Sequence, residues 1–121
     1  MISVGITNGK GRGIFAQKRF AKGEVIERAP VIIIPGVQEN LADKTVLYDY
    51  CYEWGGDIAL ALGYGSLYNH SYKPNAIYVK NLQEMVVEFI ALRDIESQEE
   101  ITINYNNYPD DNSPVWFDVL S

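Results

Sequence analysis

Apolar residues in this chain come in short runs broken by glycine, proline, asparagine and aspartate, and the runs are filled with β-branched and aromatic side chains. Such side chains fit a pleated, half-buried surface and the breakers fit turns, so the pattern confines the chain to a mainly β fold of short strands. Strands are expected over residues 2–6, 14–18, 24–34, 58–62, 76–79, 85–92 and 100–103. Over residues 41–50 the apolar positions Leu41, Val46, Leu47 and Tyr50 trace a helical face only in part, so a short helix or helical turn is expected there. Pro35-Gly36 ends the long early strand. Residues 106–114, rich in Asn, Asp and Pro, separate the last strand from the apolar tail Val115-Trp116-Phe117.

With 121 residues the chain has the size of one domain, and its 47% hydrophobic and 21% charged residues are those of a globular protein with a real core. Val31-Ile32-Ile33-Ile34 falls far short of the roughly 20 apolar residues that span a bilayer, and no basic segment followed by an apolar stretch opens the chain. The expectation is therefore an intracellular protein, cytoplasmic or nuclear, that does not enter a membrane. One cysteine and one histidine cannot supply a structural zinc site, so no metal is expected, and Cys51 reads as a packed small hydrophobe. A net charge of −6 disfavours direct binding to nucleic-acid phosphates and favours cationic partners, although it also serves solubility.

Three segments carry groups suited to chemistry. In Lys10-Gly11-Arg12-Gly13-Ile14-Phe15-Ala16 two glycines flank one residue just before a strand, which lets backbone turn tightly or approach a ligand. The third glycine and helix of a dinucleotide fold are missing, as is the Gly-Lys-Ser/Thr of a phosphate loop. The second segment, Asn69-His70-Ser71-Tyr72-Lys73-Pro74-Asn75, concentrates hydrogen-bonding groups beside an apolar, glycine-rich stretch; its Asn and Ser also close turns readily. No Gly-x-Ser-x-Gly elbow accompanies His70, which reads as positional and not as a general base. The third segment, Glu99-Glu100-Ile101-Thr102-Ile103-Asn104-Tyr105, alternates along a strand, so its adjacent acids face opposite ways and Tyr105, at the strand end, can face a site.

Taken in this order, the three segments resemble the SET-domain family of lysine methyltransferases. Gly11-Arg12-Gly13 is similar to the family's Gly-x-Gly, and the segment Phe20-Ala21-Lys22-Gly23-Glu24-Val25-Ile26-Glu27 to the Lys-Gly-Glu turn that follows it. Residues 69–75 match Asn-His-Ser-x-x-Pro-Asn in full, and residues 99–105 match Glu-Glu-Leu/Ile-x-x-x-Tyr. The compact length is most like the minimal viral-type SET proteins. Two positions depart: Gln98 stands where the family usually has glycine, and Asn104 where Asp or Ser is frequent. The zinc-binding cysteines and cysteine-rich tail of many SET proteins are absent from the sequence.

The resemblance implies one SET domain over residues 1–121, with a catalytic core at about 10–105 and a closing tail at 106–121. It implies small β-sheets with a knot-like C-terminal crossing and one or two short helices. It implies transfer of a methyl group from S-adenosyl-L-methionine to a lysine in a basic protein tail, a histone tail among the candidates. Tyr105 would be catalytic, and Gly11, Arg12, Gly13, Asn69 and His70 would bind the cofactor. Tyr50, Tyr64, Tyr108 and Trp116 would wall the substrate channel, with Phe117 a further closing residue. The apolar tail leaves homodimerisation open. The rival readings are an inactive SET-like module that binds basic tails and a purely structural β protein.

Overall fold

The computed structural model describes residues 1–116 and 119. Among the described residues the strands form two sheets. The first has the order β1-β2-β9-β6, from Ile2–Ile6, Arg12–Ala16, Glu100–Ile103 and Asn69–His70 respectively. The second has the order β4-β5-β3-β8-β7, from Cys51–Trp54, Asp57–Ala61, Val25–Ile34, Val86–Ala91 and Ala76–Asn81. Helix α1 is a single turn, Glu39–Ala42, and Val46–Tyr50 forms a 3₁₀ turn opened by the Thr45 side chain, which accepts from the Leu47 N–H.

Alternation of apolar and polar side chains puts one face of each strand into a shared core. β8 is the clearest case: Val87, Phe89 and Ala91 are buried while the intervening residues are partly exposed. These residues, with Ile14, Ile95, Ile101 and Ile103, join one apolar cluster that links the two sheets. The last strand is central to the arrangement. β9 pairs antiparallel with β2 through Ile14↔Ile101 and parallel with β6 through Asn69↔Thr102 and His70↔Ile103. Three segments far apart in the chain thus lie side by side.

Strand bounds at 2–6 and 100–103 agree with expectation, and those at 24–34, 58–62, 76–79 and 85–92 differ by a residue or two. The expected strand 14–18 instead begins at Arg12 and ends at Ala16, because its partner β1 reaches Ile6↔Arg12 and carries the pairing two residues earlier. The 41–50 helix is divided between α1 and the 3₁₀ turn, consistent with its incomplete apolar stripe. β4 and β6 are additions, and both are short strands held by their neighbours.

Gln98 adopts φ 76°, a left-handed conformation that glycine takes at no steric cost. Its N–H donates to the Ala16 carbonyl at 2.7 Å, locking the turn against the first sheet. Gln98→Gly therefore removes a Cβ clash of about 1–2 kcal/mol, offset by about 0.5–1 kcal/mol of added unfolded-chain entropy. The expected result is a net gain near 0.5–1 kcal/mol in denaturant unfolding; a loss would show that the Gln98 side chain, whose Nε2 donates to Gln17 Oε1, outweighs the strain.

Candidate active site

The end of β9 and the start of β6 bring Tyr105 and Asn69 into one place. Tyr105 is held at three points. Its N–H donates to His70 Nδ1 at 2.9 Å, its carbonyl accepts from the Tyr78 hydroxyl at 3.2 Å, and its own hydroxyl donates to the Tyr68 carbonyl at 2.6 Å. A side chain fixed in this way loses little further freedom when a ligand arrives. His70 is buried, and its ring meets Tyr72 edge-on at 4.5 Å. With Nδ1 committed to a backbone N–H, and with burial and then Lys10 disfavouring the charged ring, His70 is a neutral structural acceptor.

Around Tyr105 opens a cavity of about 680 Å³ whose wall combines the aromatic side chains Tyr50, Tyr52, Tyr68, Tyr78, Tyr108 and Trp116 with polar and charged residues such as Asp49, Glu53, Lys80 and Asn106. Asn69 also reaches it. The Trp116 ring stacks on Tyr105 with centroids 5.7 Å apart and planes at 21°. Tyr64 is not part of this lining; its exposed position follows from a loop in which its backbone N–H is drawn to Glu27 Oε2 at 2.9 Å. Phe117 lies outside the described residues. Tyr52, Tyr68 and Tyr78 were not singled out from sequence. Their signal is weak, since only the register of β4 and β7 and the course of the 62–68 loop decide that these tyrosines face inward.

Burial keeps the phenols of Tyr52, Tyr68, Tyr78 and Tyr105 neutral. It pushes Tyr78 and Tyr105 up to about 12, with Glu53 adding to the first and Tyr50 and Glu100 to the second, and it raises Tyr52 and Tyr68 as well. These four phenols therefore stay protonated near neutral pH and serve as donors, not bases. These raised values also link to stability: the folded state holds the phenolic protons more tightly than the unfolded chain, whose tyrosines titrate near 10. Their contribution is complete below pH about 10 and is lost as pH climbs toward about 12. Urea unfolding from pH 8 to 12 should show stability falling across that upper window, and a flat profile would contradict the buried placement of these rings.

Beside the cavity, the Gly11–Gly13 turn packs directly against Asn69. The Asn69 amide donates to the Arg12 carbonyl and to Glu100 Oε2, both at 2.9 Å, and Lys10 Nζ lies 2.9 Å from Glu100 Oε1. A Cβ on Gly13 would come within 2.6 Å of Glu100 Oε2 and 2.8 Å of Asn69 Nδ2, so only glycine permits this contact. Gly11 has φ 70°, the left-handed bend that turns the chain into β2. Arg12 is exposed beside them.

A glycine turn, the Asn-His pair and a strand-end tyrosine thus stand next to one another, and of these Asn69 and Tyr105 reach the cavity while Gly11, Arg12, Gly13 and His70 lie outside its lining. The model of the SET domain matches residues 11–106 of the chain. The chain belongs to the SET-domain family. As a SET domain it is 34% identical over 114 residues to a Schizosaccharomyces pombe histone-lysine N-methyltransferase, H3 lysine-37 specific, covering 93% of this chain and 74% of that relative. Among solved structures, a candidate histone methyltransferase of Plasmodium falciparum superposes with a TM-score of 0.71 at 33% identity, covering 89% of this chain and 99% of that one. A humanized mutant of the Chaetomium thermophilum Polycomb Repressive Complex 2 gives a TM-score of 0.74 at 19% identity over 90% of this chain and 15% of that one, a likeness of fold alone.

A second SET-domain cavity, about 690 Å³, adjoins the first and shares Asp49, Cys51, Tyr52, Glu53 and Trp116 with it. Glu39, Asp43 and Asp57 add further acidic groups to its wall. The aromatic cavity therefore opens beside a strongly acidic groove.

Proposed function

We propose that this SET domain is a protein-lysine N-methyltransferase that uses S-adenosyl-L-methionine and accepts a lysine from a basic tail, with a histone tail as the first candidate. The observation that carries this reading is that Tyr105, anchored at N–H, carbonyl and hydroxyl, shares one aromatic cavity with Asn69. The chemistry of the adjoining groups suits a zwitterionic cofactor: Glu100 already carries a lysine ammonium, and the Asn69 amide is oriented by two acceptors. Gly11, Arg12, Gly13, Asn69 and His70 would hold that cofactor, which when bound supplies a methyl group on a sulfonium. Tyr105 is the residue assigned to the reacting amine.

The chain's own contribution is to orient and dehydrate. Aromatic rings favour the aliphatic stem of a lysine and its cationic tip alike. A free lysine amine titrates near 10.4, and burial within such walls lowers that value and favours the neutral nucleophile. Tyr105 and its neighbours, protonated near neutral pH, offer hydroxyl dipoles that need not reorganise during reaction. The acidic groove supports a basic partner, because opposite charge attracts the peptide before the lysine enters. A histone substrate would place the protein inside the cell, in the nucleus or wherever histones are handled.

Incubation with isotope-labelled S-adenosyl-L-methionine and histone H3 or a lysine-rich peptide, followed by mass spectrometry, tests the reading. Mass added in steps of one methyl group on lysine is expected. An inactive tail-binding module predicts peptide binding without transfer, and a structural β protein predicts neither.

A further inference from the structure

The register of β3 against β8 shifts between Val25 and Glu27, an irregularity of the kind that re-aims a side chain. Half-buried Glu27 spends both carboxylate oxygens on the 62–68 loop: Oε2 accepts the Tyr64 N–H at 2.9 Å and Oε1 accepts the Tyr68 hydroxyl at 2.8 Å. Gly63, at φ 60°, is part of the same fit, since a Cβ there would come within 2.6 Å of Glu27 Oε2. Two carbonyls of the loop hold tyrosines of the cavity wall. Gly65 accepts from the Tyr52 hydroxyl at 2.7 Å, and Tyr68 accepts from the Tyr105 hydroxyl at 2.6 Å. The Tyr68 ring, stacked on Phe89 with centroids 4.2 Å apart, ties the loop to the core.

We propose that Glu27 is a positioning residue: by clamping both ends of residues 64–68 it sets the two carbonyls that fix the hydroxyls of Tyr52 and Tyr105, two tyrosines of the cavity wall. Glu27 touches no substrate and acts only through the loop. The inference rests on the assignment of Tyr105 above, yet its geometric half stands apart from turnover. Glutamine at position 27 keeps the size but offers one acceptor and an amide N–H, so one of the two donors loses its partner.

Two measurements on Glu27→Gln test this. With saturating cofactor and peptide, kcat is expected to fall roughly 10- to 100-fold, the scale of a small misplacement of a reacting group, with KM for cofactor within two-fold of wild type. Independently, the Cζ resonance of ¹³C-labelled Tyr105, which reports its hydroxyl's hydrogen bond, is expected to shift. Tyr68→Phe removes only the hydroxyl that Glu27 holds and carries the same test if the glutamine variant does not fold. In a double-mutant cycle the two changes should combine to less than their product, because they break one contact. An unmoved Tyr105 resonance, or kcat unchanged in a wild type that is active, overturns the inference. A wild type that transfers no methyl group while the resonance moves overturns the proposed function and leaves the positioning role supported.

Discussion

Tyr105→Phe is expected to lower kcat by about 10²–10³-fold while the protein stays folded and still binds S-adenosyl-L-methionine. The size is that of removing one preorganised polar group from a reacting centre, about 2.7–4 kcal/mol of barrier. The hydroxyl is the only part removed, and the ring keeps its stack against Trp116. The backbone anchors to His70 and Tyr78 do not involve the hydroxyl and persist. The Tyr68 carbonyl loses a donor at the cavity edge, where water can replace it, so only a modest change in stability should accompany the loss. Single-turnover kinetics beside calorimetric cofactor binding separate the two effects. A variant with wild-type kcat would remove Tyr105 from the chemistry, and one that no longer binds cofactor would make it structural.

The largest effect on stability is expected at Asn75. Its side chain is buried, accepts the Thr102 N–H at 2.9 Å through Oδ1, and donates to the Glu100 carbonyl at 2.7 Å through Nδ2. These are the backbone groups of β9 opposite the 69–75 segment, so one amide completes the hydrogen bonding between two distant parts of the chain. Asn75→Ala orphans both groups. At about 1–3 kcal/mol for each unsatisfied buried partner the loss is roughly 2–6 kcal/mol, a large share of the about 5–15 kcal/mol that holds a typical domain. The urea midpoint should fall steeply, with cofactor affinity weakening in parallel because Asn69 and Glu100 are held by the same strands. Asn75→Asp separates charge from shape: it keeps the acceptor for Thr102 but sets a carboxylate against the Glu100 carbonyl and the Glu99 carboxylate, and should be no better than alanine.

Much of this was legible before the structure. The heptapeptide at 69–75 and the strand ending at Tyr105 pointed to one family because three of their polar side chains have partners fixed by the fold: Asn75 in the β9 backbone, His70 on the Tyr105 N–H, Asn69 on the Arg12 carbonyl. The departure at Gln98 also finds its cause, since glycine is the residue suited to its φ. What stayed hidden depends on contacts distant in sequence. β6 is two residues long and exists only because β9 lies beside it. β4 has no clean alternation and is recruited by β5. Tyr64 and Tyr68 look equivalent in a glycine-rich stretch, and contacts a long way off in sequence, the Glu27 carboxylate and the Phe89 ring, hold Tyr68 in the core while Tyr64 faces out.

The placement of β9 between β2 and β6 also governs how the protein is born. Residue 14 must wait for residue 101, and the Asn-His pair for the strand that ends at Tyr105, so a chain emerging from the ribosome has no binding site until residue 105 has been made. Pairings that close such long loops are slow to form. During that interval the apolar faces of β3 and β8, already paired to each other, have no second sheet to cover them. Ligand added during synthesis could then stabilise only chains that have already passed Tyr105.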